Sequence, residues 1–414
     1  MKQLLLVLAL GCCLPVWPAS AATQVKINSD SVLEINGQKV FVVGFSCSPP
    51  ADGKAPNGKN AFEELADAGA TFVRGGPITQ LWDDDRFEQE KKTEDAAAKY
   101  GLHCWLSLHE AGSIKGNGDP HEPLLRKIVS TFKDHPGLGV WKGADEAEWG
   151  KYPIAHVQRT YDLLKELDPD HPLALIQAPR GTVESLSSFI PACDITGFDV
   201  YPIGYPPGKH SQNYKTNSEI SMVGDYTKIA AQMAGGQKSV WTTLQIVWVG
   251  VTKADKPLRF PTFHEQRFMT YQAIINGARG VTYFGGTNPA GWNEEDAKLG
   301  WNWHFWNRVL RPVVEEIGTK SPLYPALVAS DPRLPIHCSA ADIEFCAREV
   351  GAEIFLLACK RGPETEQISF TGFPGGMKGG NVLFEEPRTV EMKDGTLSDW
   401  FAPFEVHVYR LAKP

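Results

Sequence analysis

Leu138-Gly-Val-Trp-Lys142 is a short apolar run, and Gly143-Ala-Asp-Glu-Ala-Glu-Trp149 follows it with three carboxylates in four residues. From Ile154 to Leu167 apolar side chains then return every three to four positions, the spacing of an amphipathic helix. Five mostly apolar residues are strand length, so the stretch predicts a strand, a polar loop and a helix. The same unit recurs on both sides. Strands are predicted at Val40–Phe45, Ala70–Arg74, His103–His109, Leu138–Lys142, Leu173–Gln177, Ile195–Tyr201, Val240–Ile246 and Gly280–Phe284. Helices are predicted at Ala61–Ala68, Arg86–Tyr100, Glu122–Phe132, Ile154–Leu167, Val183–Phe189, Tyr226–Met233, Glu265–Asn276 and Phe305–Ile317.

Eight strands, each followed by a helix, predict an α/β fold, a (β/α)8 TIM barrel. A doubly wound open sheet would carry fewer strands and a Gly-rich phosphate turn, and the chain has no GxGxxG or GxxxxGK[ST]. A short extended lead-in with a turn at Asn36-Gly37 precedes the first barrel strand. After about residue 330 the pattern changes to short strands joined by Gly, Pro and Asp turns: Ile343–Cys346, Ile354–Ala358, Gln367–Phe370, Asn381–Phe384, Thr389–Met392 and Phe404–Arg410. These predict a small C-terminal antiparallel β-sandwich domain. The domain boundaries expected are 1–21 for a signal peptide, 22–325 for the barrel and 326–414 for the β-domain.

The 414 residues are 42% apolar and 22% charged, an ordinary globular composition. Lys and Arg total 41 against 49 Asp and Glu, a net charge of −8 with no basic block, which argues against nucleic acid or an anionic membrane as partner. Lys2, the apolar run Leu4–Leu10 and the small residues Ala19-Ser20-Ala21 read as a signal peptide, and no later stretch is long and apolar enough to span a bilayer. The protein is therefore expected to be exported, periplasmic or extracellular. Leu10-Gly-Cys12 offers a lipoprotein alternative that Ala9 fits poorly. Of the remaining cysteines, Cys338 and Cys346 flank a turn-like segment and are the expected disulfide, while Cys47, Cys104 and Cys193 read as buried thiols.

In such a barrel the functional side chains lie at the C-terminal ends of the strands. Those ends carry Arg74, His109 and Glu110, Asp145, Glu146 and Glu148, Gln177, Asp199 and Tyr201, Gln245 and Trp248, and Tyr283. Crowded carboxylates raise one another's proton affinity, which is what a general acid needs near neutral pH. Asp145, Glu146 and Glu148, bracketed by Trp141 and Trp149, are the strongest such cluster. Asp199 and Tyr201 share one strand face, and Arg74 is placed to hold a nearby carboxylate ionised. Trp248, Trp292, Trp301 and Trp303 lie in or near the polar loops after strands seven and eight, where exposed rings are expected to stack on sugar faces and about half to be ordinary packing.

The run of Val43-Gly-Phe, Phe-Val-Arg74, Val-Trp141-Lys-Gly-Ala-Asp-Glu146, Gly-Phe-Asp199-Val-Tyr-Pro202, Trp241-Thr-Thr-Leu-Gln245 and Val-Thr-Tyr283-Phe resembles the clan A barrel glycoside hydrolases, the β-galactosidase-like and cellulase-like group, over residues 25–320. The resemblance implies an exported glycoside hydrolase of a poly- or oligosaccharide, needing neither cofactor nor metal. It places Glu146 as acid/base and matches Arg74. It also implies a strand-seven nucleophile, usually Glu, where this chain has Gln245. Three alternatives follow. The enzyme inverts, with Glu146 as acid and Asp199 as base; or Glu110, Glu148 or Glu265 replaces the nucleophile; or the barrel is inactive and binds glycan as a lectin-like module. Arg74, His109, Glu110, Asp145, Glu148, Tyr201, Gln245, Trp248 and Tyr283 are the expected substrate-binding residues.

Overall fold

Residues 22–204, 219–247 and 259–414 are described by the structure, a computed structural model, so the segment 1–21 and Trp248 lie outside the described residues. The lead-in is a three-stranded antiparallel sheet of β1 (Val25–Ile27), β2 (Leu33–Ile35) and β3 (Gln38–Val40). Its tight turn falls at Asn36-Gly37, where φ is 49° and 81°, values that Asn and Gly tolerate best.

The eight barrel strands are β4 (Val42–Phe45), β5 (Phe72–Gly75), β6 (His103–Ser107), β7 (Leu138–Lys142), β8 (Leu173–Gln177), β9 (Ile195–Val200), β10 (Ser239–Gln245) and β11 (Gly280–Phe284). They close in the order β10-β11-β4-β5-β6-β7-β8-β9, parallel throughout. The lumen is packed, not open. Val42, Phe72, Trp105, Val140, Ile176, Ile195 and Trp241 form one buried cluster inside it. Trp241 is registered with Gly197 on β9 and Gly280 on β11; Gly280 leaves room for its indole, and Gly197 lets its backbone approach β9 closely. A Cβ at Gly280 would stand 2.8 Å from the indole, and one at Gly197 1.6 Å from the Trp241 carbonyl oxygen.

The helices follow the expected positions with boundaries shifted by a few residues; the longest, Asp84–Tyr100, is capped by Asp83 and ends at Gly101 in the left-handed region. One differs in kind. The stretch predicted as a single helix over Phe305–Ile317 is α-helical at Trp303–Phe305 and Arg311–Ile317 but widens to a π-turn at Trp306–Leu310. Pro312 explains it: the ring lacks an N–H and crowds the carbonyl one turn back, and a wider turn relieves both.

Under the barrel floor Thr23 Oγ1 lies 2.8 Å from His171 Nε2, His171 Nδ1 lies 2.8 Å from Asp168 Oδ2, and Trp141 Nε1 donates to the same carboxylate at 2.7 Å. This hydroxyl–imidazole–carboxylate chain is almost wholly buried, and the Thr23 hydroxyl also contacts the Leu138 carbonyl. It staples the lead-in to the barrel and has no access to a substrate.

The C-terminal region is one antiparallel sheet of β12 (His337–Cys338), β13 (Ile343–Val350), β14 (Glu353–Lys360), β15 (Glu366–Thr371), β16 (Gly379–Leu383), β17 (Arg388–Lys393), β18 (Thr396–Phe401) and β19 (Val406–Ala412). The order is β12-β15-β18-β17-β16-β19-β14-β13. Residues from both halves share one core, and Phe345 near one edge meets Phe370 near the other, with ring centroids 5.5 Å apart. Phe355, Leu357 and Val408 of β14 and β19 instead join the barrel's core. Arg361 pairs with Asp225 at 2.8 Å across the same boundary, and Arg267 donates to the Val406 carbonyl at 2.7 Å.

The expected Cys338–Cys346 disulfide is not formed. All six cysteines from Cys47 onward are free thiols. Cys338 lies on β12 and Cys346 on β13, at opposite ends of the strand order, because the turn between them leads to different edges of the sheet rather than closing a hairpin.

Candidate active site

Side chains alternate along a strand, so each barrel strand offers the lumen every second residue. On β7 Leu138 and Trp141 pack outward under the helices and Val140 packs inward, Leu138 and Val140 taking opposite faces because the pairing with β6 skips Gly139 between them. Lys142 continues the inward row, with its Nζ 5.8 Å from the centre of the inward Trp105 ring. The same alternation brings in Phe72 and Arg74 on β5, Trp105 and Ser107 on β6, and Asp199 on β9 beside Thr243 on β10.

Lys142 is 2% exposed and its ammonium is ion-paired with Asp145. Asp145 keeps 60% of its side-chain exposure although protein surrounds it, so it stands on the wall of an opening that water enters. Burial alone would raise its pKa; Lys142 and Arg74 outweigh that and hold the carboxylate ionised, its pKa below the usual value.

Glu146 follows in a left-handed backbone conformation, φ 45°. Non-glycine residues adopt this region at a cost of about 1–3 kcal/mol and hold it only where the surroundings force it. Here they do. The Glu146 N–H donates to the Ile176 carbonyl at 3.1 Å, the Gly150 N–H donates to the Glu146 carbonyl at 2.8 Å, and the Glu148 N–H donates to Gln177 Oε1 at 3.0 Å. The loop after β7 is thus clamped to the end of β8, and Gln177 serves as a clamp rather than as a group in the opening.

Burial first, and then the negative charges of Asp199 and Asp145, push the Glu146 carboxyl up to about 8. Burial and Asp145 push Asp199 up to about 7, against the opposing pull of Lys142 and a hydrogen bond from Thr243. Thr243 in turn accepts from the Thr282 hydroxyl at 2.9 Å, which leaves its own proton for Asp199. The two carboxyl groups therefore titrate as an interacting pair near neutrality, while Asp145 stays charged. Tyr201 is 6% exposed and feels both Asp199 and Glu146; burial keeps its phenol protonated, and its ring stacks on Phe284 at 5.4 Å and 17°.

Of the residues singled out from sequence, the structure gathers Arg74, Asp145, Glu146, Asp199 and Tyr201 in one mouth. His109 also belongs, since it lies close enough to Asp145 to favour its ionised form. Other expectations need correction. Gln245 is fully buried, accepting from the Ile203 N–H at 2.7 Å and donating to the Ile203 carbonyl at 2.8 Å, so its amide is spent on anchoring the chain after β9. Tyr283 points outward beneath the helix Phe263–Ile275, 3.0 Å from Thr270 Oγ1; strand alternation turns Phe284 inward in its place. Glu110 accepts from the Trp82 N–H at 2.8 Å and lies 2.8 Å from His109 Nδ1, a loop brace. Glu148 lies against Gly181, where a Cβ would stand 2.7 Å from its carboxyl carbon, and pairs with Lys151 at 3.3 Å. Glu265 caps its own helix and binds Arg259 through both oxygens. Trp301 and Trp303 are fully buried core, and the Trp301 N–H donates to the Cys47 carbonyl.

Sequence reasoning passed over Lys142, Thr243 and Arg180. The first two carried a signal, because each has the inward parity of its strand; Arg180 carried none. A Gln245→Glu variant would set a carboxylate oxygen against the Ile203 carbonyl where an amide N–H now donates. We expect a loss of about 2–4 kcal/mol in urea unfolding and no trapped glycosyl-enzyme.

Beside Arg74 opens a cavity of about 820 Å³ between the loops after β4, β5 and β11 and the helix Asp84–Tyr100. That is the size of a site for a small molecule or a short oligosaccharide.

No protein-family model matches the sequence, and no curated protein matches it. Solved structures do match in fold. A protein described as a glycoside hydrolase aligns over 94% of this chain and 97% of its own, with a TM-score of 0.66 at 10% identity. A glycoside hydrolase family 5 protein from Bacteroides vulgatus aligns over 94% and 93%, with a TM-score of 0.64 at 12% identity. An α-amylase from Geobacillus thermoleovorans, solved with acarbose, aligns over 90% and 98%, with a TM-score of 0.57 at 10% identity. At such identities the likeness is one of fold, and in fold this chain is similar to the barrel glycoside hydrolases over nearly its whole length.

Proposed function

We propose that the protein is a glycoside hydrolase that cleaves O-glycosidic bonds of a poly- or oligosaccharide by inversion. Glu146 donates the proton to the leaving oxygen, and Asp199 takes a proton from the attacking water. One observation carries the reading: two carboxyl groups on β9 and the loop after β7 share one mouth with pKa values lifted to about 7 and about 8, so that near neutral pH one is charged and the other protonated. One strand, β8, separates β7 from β9, which sets them roughly 9–10 Å apart at about 4.8 Å per neighbour. That suits the carboxyl spacing of about 6.5–9.5 Å that leaves room for a water.

Inversion rather than retention is favoured because the alternative nucleophiles are engaged elsewhere. Gln245 is an amide clamped to Ile203, Glu110 is bonded to Trp82 and His109, Glu148 is paired with Lys151, and Glu265 is bound to Arg259. Asp145 remains paired with Lys142 and orients the site, His109 and Tyr201 would hydrogen-bond sugar hydroxyls, and Arg74 polarises the mouth. We read the C-terminal sheet as a folded-over sandwich supporting the barrel, with the boundary near residue 325, and the protein as exported by the segment 1–21.

A hydrolysis screen over a polysaccharide panel, with proton NMR of the first anomer released, tests the proposal. Release of the inverted anomer is expected. Net retention would overturn the assignment of Asp199, and glycan binding without turnover by the wild type would favour the lectin-like alternative.

A further inference from the structure

Resting on the hydrolase reading, we infer that the substrate is an anionic glycan, one bearing carboxylate or sulfate groups next to the bond that is cut. The chain as a whole has a net charge of −8, yet beside the ion-paired Lys142 and Arg86 the mouth and the cavity next to it carry three cations, Arg74, Lys92 and Arg180, with no carboxylate within 4.0 Å among the described residues. Arg74 is 8% exposed, lines the 820 Å³ cavity, and among the described residues its guanidinium bonds only to the Pro77 carbonyl at 3.2 Å and Ser107 Oγ at 3.4 Å. Among the described residues its Nε is buried without a hydrogen-bond partner and no carboxylate lies within 4.0 Å of its guanidinium, although Asp145, Asp199 and Glu90 are near enough to feel its charge. A buried guanidinium with an unmet N–H still gains from an anion that bonds it directly. Lys92 reaches the same cavity from the helix Asp84–Tyr100, exposed and without an ion pair among the described residues.

The acids in that lining are few, and neither bonds Arg74 or Lys92 directly. Glu90 is buried, faces Arg86 at 3.6 Å, and burial raises its pKa; Asp52 is exposed at the rim. Gln80, Gln89 and Asn288 supply neutral hydrogen-bonding groups of the kind that sugar hydroxyls need, and Asn288 Nδ2 is buried without a partner among the described residues.

A second, independent cation borders Glu146. The Arg180 guanidinium carbon lies 3.8 Å from the centre of the Trp149 ring, and Arg180 is near enough to Glu146 to pull its pKa down. Trp149 is 45% exposed, so ring and guanidinium together form a platform at the mouth, preset by the stack. Cations thus lie both at Arg74 and Lys92 and at Arg180, an arrangement for a chain with repeated negative charge rather than for one charged sugar. An arginine held by a ring presents a planar fork suited to carboxylate or sulfate.

The test uses the full chain as Glu146→Gln, with calorimetric binding of glucuronate-containing, galacturonate and sulfated hexasaccharides. Each is paired with its carboxyl-reduced or desulfated counterpart. We expect at least one acidic member to bind roughly tenfold or more tighter than its neutral counterpart, and Lys92→Gln and Arg180→Gln each to erase several-fold of that gain. The better binder of the uronic and sulfated arms identifies the group. Neutral counterparts that bind as tightly as every acidic member, or a preference untouched by both substitutions, would overturn the inference. Hydrolysis confined to neutral glycans would sink it and spare the hydrolase reading, whereas tight acidic binding with no turnover by the wild type would sink the hydrolase reading alone.

Discussion

Replacing Glu146 with glutamine is expected to lower kcat by about 10²–10⁴ while KM changes little, because an amide of the same shape binds sugar but has no proton to give. The same variant should gain stability in alkali. The folded protein lifts this carboxyl from 4.5 to about 8, so the folded state holds a proton that the unfolded chain releases. Stability from such a group is present in full below its unfolded pKa and is lost as pH rises through the folded value. Glutamine removes that loss. Thermal unfolding should show the variant matching the wild type at about pH 4 and exceeding it by roughly 1–3 kcal/mol at about pH 9, after screening by the water that enters the mouth. A variant that keeps wild-type turnover would dismiss Glu146 as the acid, and an unchanged stability difference at the two pH values would deny its raised pKa.

Asp199→Asn should be almost as damaging, about 10²-fold or more in kcat/KM, and more informative through its pH profile. In the wild type activity needs Asp199 charged and Glu146 protonated. It should therefore rise as pH passes about 7, fall as pH passes about 8, and peak between. The two values belong to the interacting pair. With asparagine at 199 the rising limb disappears, because no base remains to be ionised. The falling limb moves to lower pH, because the negative neighbour that raised Glu146 is gone and burial and Asp145 are left. A profile whose falling limb stays in place would separate the two carboxyl groups and remove Asp199 from the mechanism. Small amine-free anions such as azide or formate, added to the asparagine variant, offer a further readout by supplying a base in place of the missing carboxylate.

The barrel was legible because its physics is local. Leu138–Lys142, Leu173–Gln177 and Gly280–Phe284 were bounded to the residue, since a strand buried on both faces is written as a continuous apolar run. In the C-terminal sheet β12 and β18 were missed. β12 has two residues, and Thr396-Leu-Ser-Asp-Trp-Phe401 keeps only Leu397 and Phe401 buried, too sparse for a visible alternation. Gln245 and Tyr283 show a different failure. Both sit at strand ends, and position at a strand end does not say which way a side chain faces or what it already holds. Gln245 is used up by one backbone residue some forty positions earlier, a pairing that only the fold creates.

By itself, then, the order of residues determined the succession of strands and helices, the closing of eight strands into a barrel, and the acidic loop after Lys142, because strand length, helical spacing and charge are written along the chain. Tertiary structure decided the rest. It turned Glu146 into the left-handed region, set Asp199 against it across β8, tied Lys142 to Asp145, and brought Arg74 near these carboxylates without a direct hydrogen bond to one among the described residues. The physical reason is that a pKa and an unmet charge depend on burial and on neighbours distant in sequence, and neither exists until the barrel has closed around them.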